Sequence, residues 1–505
     1  MKFLKIIAIV LTSAYLSATL CFAKDNNNLR TLFLNNQARI YGINIRNFNA
    51  QDVNGNEIID RNEVSGNFIN AIDRLDEIKE LGINVLHVLP VTPVGRLKAL
   101  GTAGSLYSMS DFIGINKQFA DTSSNLSSEE QMKKFIEECH KRGIKVMIDL
   151  PSCGAYDMFL KHPELFIKDE KNCSIVPSDW TDVRLLNAGT NENLNKDVMT
   201  AHKKFIDFII QIGADGLRAD VATIKPYKFW EELIEYTREK DPEFMFLAEA
   251  SDSWREPPSK YAEFTPYDEL LKAGFDGYYG SFFNIKEWNA EQLYEHIKFN
   301  QKLLSSYPEK KSVIMSFTTH DEVSPIILHG ENFSIMIAWL EATLPFNPYS
   351  IDGFPQGDDY LYPWANNKAE FTQTDDDFYF VHRGKLDIFN FSRKPIIKHP
   401  NVLENFKNAY NFRISNEDLV TNGKFIPINT NDNKIFAFIR SDKTSNILVI
   451  GSLDFNNDKD IVTIKIPKLK NRRGFDIIKG ENIKFKKNRM TTDLKSGEIK
   501  VIRIN

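Results

Sequence analysis

The chain is poor in cysteine, in net charge and in long apolar runs, and each shortage excludes a class of protein. Four cysteines in 505 residues do not make a disulfide scaffold. With Cys21 set aside as part of a leader, Cys139, Cys153 and Cys173 form an odd set without metal-ligand spacing. Cys153 and Cys173 could pair in an oxidising compartment, or the thiols could be free and buried. A formal net charge of -5 is weak for this length. It gives no electrostatic case for nucleic acid and little for an anionic membrane surface. Beyond the first residues no run is long and apolar enough to span a bilayer.

What is present is the composition of a globular protein with room for two or three domains: 42% hydrophobic, 26% charged, with 25 Gly and 20 Pro. Lys2 and Lys5 precede an apolar run over 6–20, followed by "CFA" and Lys24. This pattern reads as a signal peptide, residues 1–23, cleaved after Ala23, and implies an exported protein, periplasmic or extracellular. Lipidation at Cys21 is an alternative that the bulky Leu20 disfavours, and an uncleaved anchor is another.

Short β-type runs then alternate with amphipathic helical stretches. The strand candidates are 38–45, 84–90, 145–151, 216–222, 244–250, 274–280, 312–321 and 346–353. Between them, segments such as "SEEQMKKFIEECHKRG" and "DVMTAHKKFIDFIIQIG" place apolar residues three and four apart and end near Gly. Eight such units fit a closed (β/α)8 TIM barrel over 24–415, with a doubly wound open sheet as the alternative. Residues 151–189 are too long for an ordinary connection and predict a short excursion after the third strand. From 416 to 505 helical periodicity fades, and "KIFAFIR", "NILVIGS", "IVTIKIP" and "EIKVIRIN" predict a C-terminal all-β domain, a β-sandwich.

In "GLRADVA" (216–222), Leu217, Ala219 and Val221 alternate with Arg218 and Asp220, so a strand would put the arginine and the aspartate on one face. Alone, this pair reads as a structural ion pair. It is not alone. Asp149 falls late in the third strand candidate, Glu249 in the fifth, and His320 with Asp321 at the end of the seventh. Charged residues at the C-terminal ends of several barrel strands converge on the mouth where this architecture places its active site. A lone Glu249 would be a solvated strand end and a lone His320 a core histidine. The repetition argues for a site but names no reaction.

The segments "GADGLRAD", "FLAEA" and "FTTHDE", with "GSLYSMSDF" and "RLDEIKELGINVLHVLPVTP" before them, resemble the short signature regions of the α-amylase family of glycoside hydrolases, over roughly residues 38–415. The resemblance implies that Asp220 is the nucleophile, Glu249 the general acid/base and Asp321 the acid that holds the reacting sugar's hydroxyls. It places Arg218 and His320 as orienting and binding partners, Tyr107 as the stacking aromatic and Asp149 as the acid of the first signature region. A retaining glycosidase needs one ionised and one protonated carboxyl roughly 5 Å apart. Arg218 would keep Asp220 ionised, and desolvation would keep a proton on Glu249.

The chain departs from the family at "DLPSCGAYD", where Cys153 and Gly154 stand at the places of the Asn that helps bind a structural calcium and the His that grips substrate. Thr223 and Ile224 replace the frequent Lys-His after the nucleophile. A second metal candidate is "DVNGNEIIDRNE" (52–63), with oxygen donors at Asp52, Asn54, Asn56, the Ile58 carbonyl, Asp60 and Glu63 at near EF-hand spacing, and Glu57 where glycine is usual. A solvated turn is the plain alternative, and some oligosaccharide-cleaving family members carry a similar loop. The implied protein is an exported retaining glycoside hydrolase acting on α-glucosidic bonds of an α-glucan or oligosaccharide, with a structural calcium. Transglycosylation and a non-catalytic carbohydrate-binding relative are the alternatives.

Overall fold

The computed structural model describes residues 27–177, 180–254, 256, 259–360, 386–466 and 473–504, so the leader at 1–23, with Cys21, lies outside the described residues. Eight parallel strands close a barrel: β1 (Ile40–Ile43), β2 (Val85–Val88), β3 (Lys145–Leu150), β6 (Gly216–Ala219), β7 (Met245–Ser251), β8 (Gly277–Gly280), β9 (Ser312–Met315) and β10 (Asn347–Ile351). Seven lie within their candidate runs and β7 passes the end of its run by one residue, Ser251, and β1 pairs with β10 to close the ring. β4 (Cys153–Ala155) and β5 (Val183–Leu185) form a small antiparallel pair within the excursion.

Local chemistry sets the helices between the strands. Ser127 and Glu130 form a reciprocal capping box at the start of the helix Ser128–Lys141, and Asn195 caps the helix Lys196–Gln211. Both chains then turn through a left-handed glycine, Gly143 at φ 74° and Gly213 at φ 97°, which lets each helix stop and its strand begin. The barrel strands are buried along nearly their whole length, because helices cover the outside and side chains fill the inside. Among the described residues no helix is long and apolar enough to cross a membrane.

The C-terminal strands are β11 (Lys424–Pro427), β12 (Ile435–Ser441), β13 (Asn446–Ser452), β14 (Lys459–Lys465), β15 (Arg473–Asp476), β16 (Glu481–Lys484), β17 (Arg489–Leu494) and β18 (Ile499–Ile504). Six form one antiparallel sheet in the order β11-β12-β13-β18-β15-β16, and β14 pairs with β17. Alternation divides the sheet's two faces. Ile435, Ala437, Leu448 and Ile450 pack against Val462 and Ile464 of β14 and Met490 of β17. Phe436, Phe438, Ile447 and Val449 join the core of the barrel instead.

The bottom of the barrel is closed by the helix Leu29–Leu34. A Cβ on Gly216 would come within 2.9 Å of Leu29, and one on Gly277 within 2.5 Å of the Phe33 ring. Asp276, fully buried just before β8, holds Arg30 Nε at 2.8 Å, Arg238 Nη2 at 2.9 Å and the Phe246 N–H at 2.9 Å. Asp276→Ala would leave two partly buried guanidinium groups and one backbone donor without this acceptor, a loss of about 3 kcal/mol. Because this lock sits at the barrel end opposite the charged mouth, denaturant titration should register the loss while substrate KM stays unchanged. A changed KM with intact stability would contradict this placement.

Candidate active site

β3, β6 and β7 are neighbours in the barrel, and their register sets Asp149 beside Arg218 and Arg218 beside Leu247, two residues before Glu249. Glu249 itself sits where the β7–β8 pairing slips, between Ala248↔Tyr278 and Ser251↔Tyr279. Such an irregularity re-aims side chains at barrel rims.

Arg218 is the hub. Its Nη1 donates to both carboxylate oxygens of Asp149, each at 2.9 Å, and to Oδ1 of Asp220 at 2.9 Å. Its Nη2 lies 2.8 Å from Glu249 Oε1 as an ion-pair contact without hydrogen-bond alignment. Its Nε donates to Tyr279 OH at 3.2 Å. Asp149 is held further by Tyr107 OH at 2.9 Å and by His87 Nε2 at 3.2 Å, and Tyr349 OH fixes the other His87 nitrogen at 2.7 Å. Tyr107 OH also meets His320 Nε2 at 2.9 Å, and the two rings stack 9° from parallel. His320 Nε2 in turn lies 3.3 Å from Asp321 Oδ2. All seven residues expected at the site are therefore joined in one connected network. Asp321 is its open end, with a side chain 54% exposed, whereas Asp149 and Arg218 are fully buried.

Two details differ from the sequence reading. The fourth strand ends at Ala219, so Asp220 lies one residue beyond it, and the alternation breaks at Val221, which adopts a left-handed backbone with φ 35° and ψ 54°. A β-branched residue resists that conformation, and local strain of this kind gathers at functional sites. The twist has a use, since the Val221 N–H donates to Glu249 Oε2 at 2.6 Å. Likewise the seventh strand ends at Met315, and His320 and Asp321 stand in the turn after it.

The division of protons also differs. Burial would raise the Asp149 carboxyl, but Arg218, His87 and His320 bring it below the ordinary aspartate value. Burial raises Asp220, with Arg218 opposing and Asp149 reinforcing the rise. Arg218 therefore serves Asp149 first and does not by itself pull Asp220 down as expected. Burial drives Glu249 well above the ordinary glutamate value, against Arg218 and with Asp220 and Asp321 adding to it. One guanidinium cannot balance three buried carboxylates, so the proton stays on Glu249, the most strongly raised.

His87, Tyr279, Ser152 and Lys225 were not singled out from sequence. His87 and Tyr279 sit inside short apolar strands, where a polar residue among Val, Leu and Gly was the available signal. In the excursion, Asp182 and Arg184 are buried, and burial pushes the Asp182 carboxyl up to about 6. Cys153 and Cys173 are free thiols. Cys153 is buried beside Leu185, Val221 and Ile224 and held protonated by burial, while Cys173 is exposed. A Cβ on Gly154 would come within 2.6 Å of the Phe166 ring, so a histidine has no room at that place.

The 52–63 loop shares one backbone feature with a metal loop. Glu57 at its sixth position takes φ 71°, the conformation for which glycine is usual there, and its side chain lies 3.3 Å from Arg393. Asp52 accepts from the Gly55 and Glu57 N–H groups at 2.7 and 2.8 Å, and Glu63 from Val53 at 2.8 Å and Asp60 at 2.9 Å. Asp60 Oδ2 accepts the side-chain amides of Asn54 and Asn56. Ile58 stands opposite Ser392 in an isolated bridge, and its N–H is turned to Asn56 Oδ1. The donors are all oxygen and fit a hard cation. Among the described residues, however, no three His, Cys, Asp or Glu side chains converge as metal ligands, so the asparagine and backbone carbonyls would have to contribute.

A folded-state value raised at Glu249 makes stability fall as pH climbs from the ordinary glutamate range toward that raised value, because the native state keeps a proton that the unfolded chain has released. Glu249→Gln removes this dependence. In urea titrations the variant should gain on the wild type steadily as pH rises above the ordinary glutamate range. A difference independent of pH would show that Glu249 is not the protonated carboxyl.

A model of the α-amylase catalytic domain matches residues 40–153. An alpha-amylase MalA of Haloarcula japonica is 26% identical over 251 residues, 48% of this chain and 35% of that relative. A cyclomaltodextrinase of a Bacillus species is 24% identical over 233 residues, 42% of this chain and 39% of that relative. The chain thus spans well under half the length of either. The crystal structure of an alpha-amylase from Lactobacillus plantarum superposes with a TM-score of 0.70 at 19% identity, covering 93% of this chain and 99% of that one, a likeness of fold. With the α-amylase catalytic-domain model on its first strands and the signature residues gathered around one guanidinium, the chain is similar to the α-amylase family and shares its fold.

Proposed function

We propose that the protein is a retaining glycoside hydrolase cleaving α-glucosidic bonds of an α-glucan or oligosaccharide. The observation that carries this reading is the shared contact of Asp220 and Glu249 with Arg218, at 2.9 and 2.8 Å, with burial raising the Glu249 carboxyl well above the ordinary glutamate value. One guanidinium bridging both carboxyls is compatible with the roughly 5 Å separation that retention requires. Asp220 attacks the anomeric carbon and Glu249 protonates the departing oxygen. Glu249, again a base, then activates the water that releases the sugar. Asp321, at the open end of the network, is placed to take sugar hydroxyls, and Tyr107 offers its ring beneath them. Transfer to a second sugar differs only in what attacks the intermediate. Chromatography of products from maltooligosaccharides, starch, isomaltose, trehalose and sucrose separates hydrolysis, transfer and mere binding. The leader-like segment 1–23 supports export, and N-terminal sequencing of secreted protein starting at Lys24 would establish it.

Asp220→Asn should abolish turnover with folding intact, because an amide cannot form the glycosyl ester. Glu249→Gln should lose about 10²- to 10⁴-fold on poor leaving groups and far less on activated ones. Equal losses on both would remove Glu249 as the acid.

For the 52–63 loop we propose one structural calcium, held by Asp52, Asn54, Asn56, the Ile58 carbonyl, Asp60 and Glu63. Calcium at a hundredfold excess over its dissociation constant should stabilise the folded chain by about 2.7 kcal/mol. Melting temperature should fall with chelator in the wild type and cease to respond to calcium in Asp52→Ala/Asp60→Ala. A wild type indifferent to chelator leaves the loop a turn.

A further inference from the structure

We infer that Lys225 is a positioning residue for Asp220, acting through Ser152. Lys225 is 1% exposed, and its Nζ donates to the Ser152 hydroxyl at 3.0 Å and the Ser152 carbonyl at 3.3 Å. Ser152 grips Asp220 twice: its N–H donates to Asp220 Oδ2 at 3.0 Å and its hydroxyl donates to the Asp220 carbonyl. The Asp220 N–H is bonded to the Leu150 carbonyl at 3.0 Å. The segment 150–152 thus holds Asp220 by its donor, its acceptor and its carboxylate, and the ammonium beneath orients the serine that makes two of those contacts. A hydroxyl that accepts from an ammonium donates more strongly, so the charge on Lys225 tightens the clamp.

Burying an ammonium is costly, so the groups that face it decide what it does. The groups that face it are Asp220 after β6, the Cys153 thiol of β4, the Trp230 ring 5.6 Å away and His202 on the helix Lys196–Gln211. Burial keeps Cys153 protonated and His202 neutral, their values pushed to about 12 and about 3. Among the described residues Asp220 is therefore the charge that faces the ammonium, and burial brings Lys225 itself down to about 8. Arg218 is claimed by Asp149 and Glu249 as well as Asp220, which leaves Lys225 as the cation that favours the ionised nucleophile from its other side.

The inference rests on Asp220 as the nucleophile, so the test uses a reagent that reports the nucleophile's identity separately. 5-Fluoro-α-D-glucosyl fluoride esterifies a retaining α-glucosidase's nucleophile: the carboxylate oxygen bonds to the anomeric carbon and fluoride leaves with the electron pair. Peptide mass spectrometry locates the ester, and its rate of formation against pH gives the acid limb of nucleophile ionisation. In Lys225→Met, a replacement of similar volume, the ester should still form on Asp220 with the acid limb moved up by roughly one pH unit, about tenfold in rate below the limb. Lys225→Arg, which keeps the charge, should restore the wild-type limb, and Ser152→Ala, which keeps the ammonium and the backbone N–H but loses the hydroxyl between lysine and Asp220, should move it the same way by less. A wild-type limb in Lys225→Met, with melting temperature alone changed, makes the lysine merely structural and overturns the inference. An ester on another residue overturns the assignment of Asp220 instead.

Discussion

The mouth of this barrel is organised by an imbalance of charge: one fully buried guanidinium facing three carboxylates. A single well-paired aspartate would leave Arg218 a structural ion pair. A third carboxyl exceeds what one cation can neutralise, and desolvation decides which group stays protonated. Asp149 is the most enclosed in donors, with Arg218, Tyr107 and His87 around it, and it keeps the charge. Glu249 has one backbone N–H and a poorly aligned contact with Nη2, and it keeps the proton. Asp220 lies between, poised by geometry rather than by a strongly lowered affinity for protons.

The rest of the fold closes the barrel away from that mouth. The bottom of the barrel is locked by Asp276 and the helix Leu29–Leu34, and the C-terminal sheet packs Phe436 and Phe438 onto the barrel's own core. Tyr294, on the helix Ala290–Ser305, reaches across to the Ala437 carbonyl at 2.8 Å.

Much of this was legible in the sequence. All eight strands fell in runs set by apolar periodicity, because parallel barrel strands are short, continuous and separated by capped helices. Six of the seven site residues were legible because they recur at or near strand ends, and Tyr107 only through the family resemblance. What the pattern could not give was the turn after Ala219, since tertiary contact between the Val221 N–H and Glu249 overrides a β-branched residue's preference. Nor could it separate Asp149 from Asp220 as the main partner of Arg218. Residues 147 to 150 pair with 216 to 219 in register, and only that lateral pairing shows that Asp149 lies directly beside the arginine. Lys225 was hidden for another reason: a lysine near a turn reads as solvated until its burial is seen.

The altered first signature region is where these strands of argument meet. In the family it resembles, an asparagine at the place of Cys153 helps hold a metal at the foot of the excursion. Here that foot is apolar: Cys153 pairs directly with Leu185 across β4 and β5, and Ile175, Val183, Val221 and Ile224 close around them. Calcium disfavours soft sulfur and needs a shell of oxygens that these side chains do not supply. An apolar foot can pack the excursion against the barrel by burial alone, but it offers no positive charge to the loop that carries Asp220. The buried ammonium of Lys225, set against the edge of the same cluster and bonded to Ser152 next to Cys153, supplies one. At this foot of the excursion, then, apolar packing and one buried ammonium stand together beside the loop that carries Asp220.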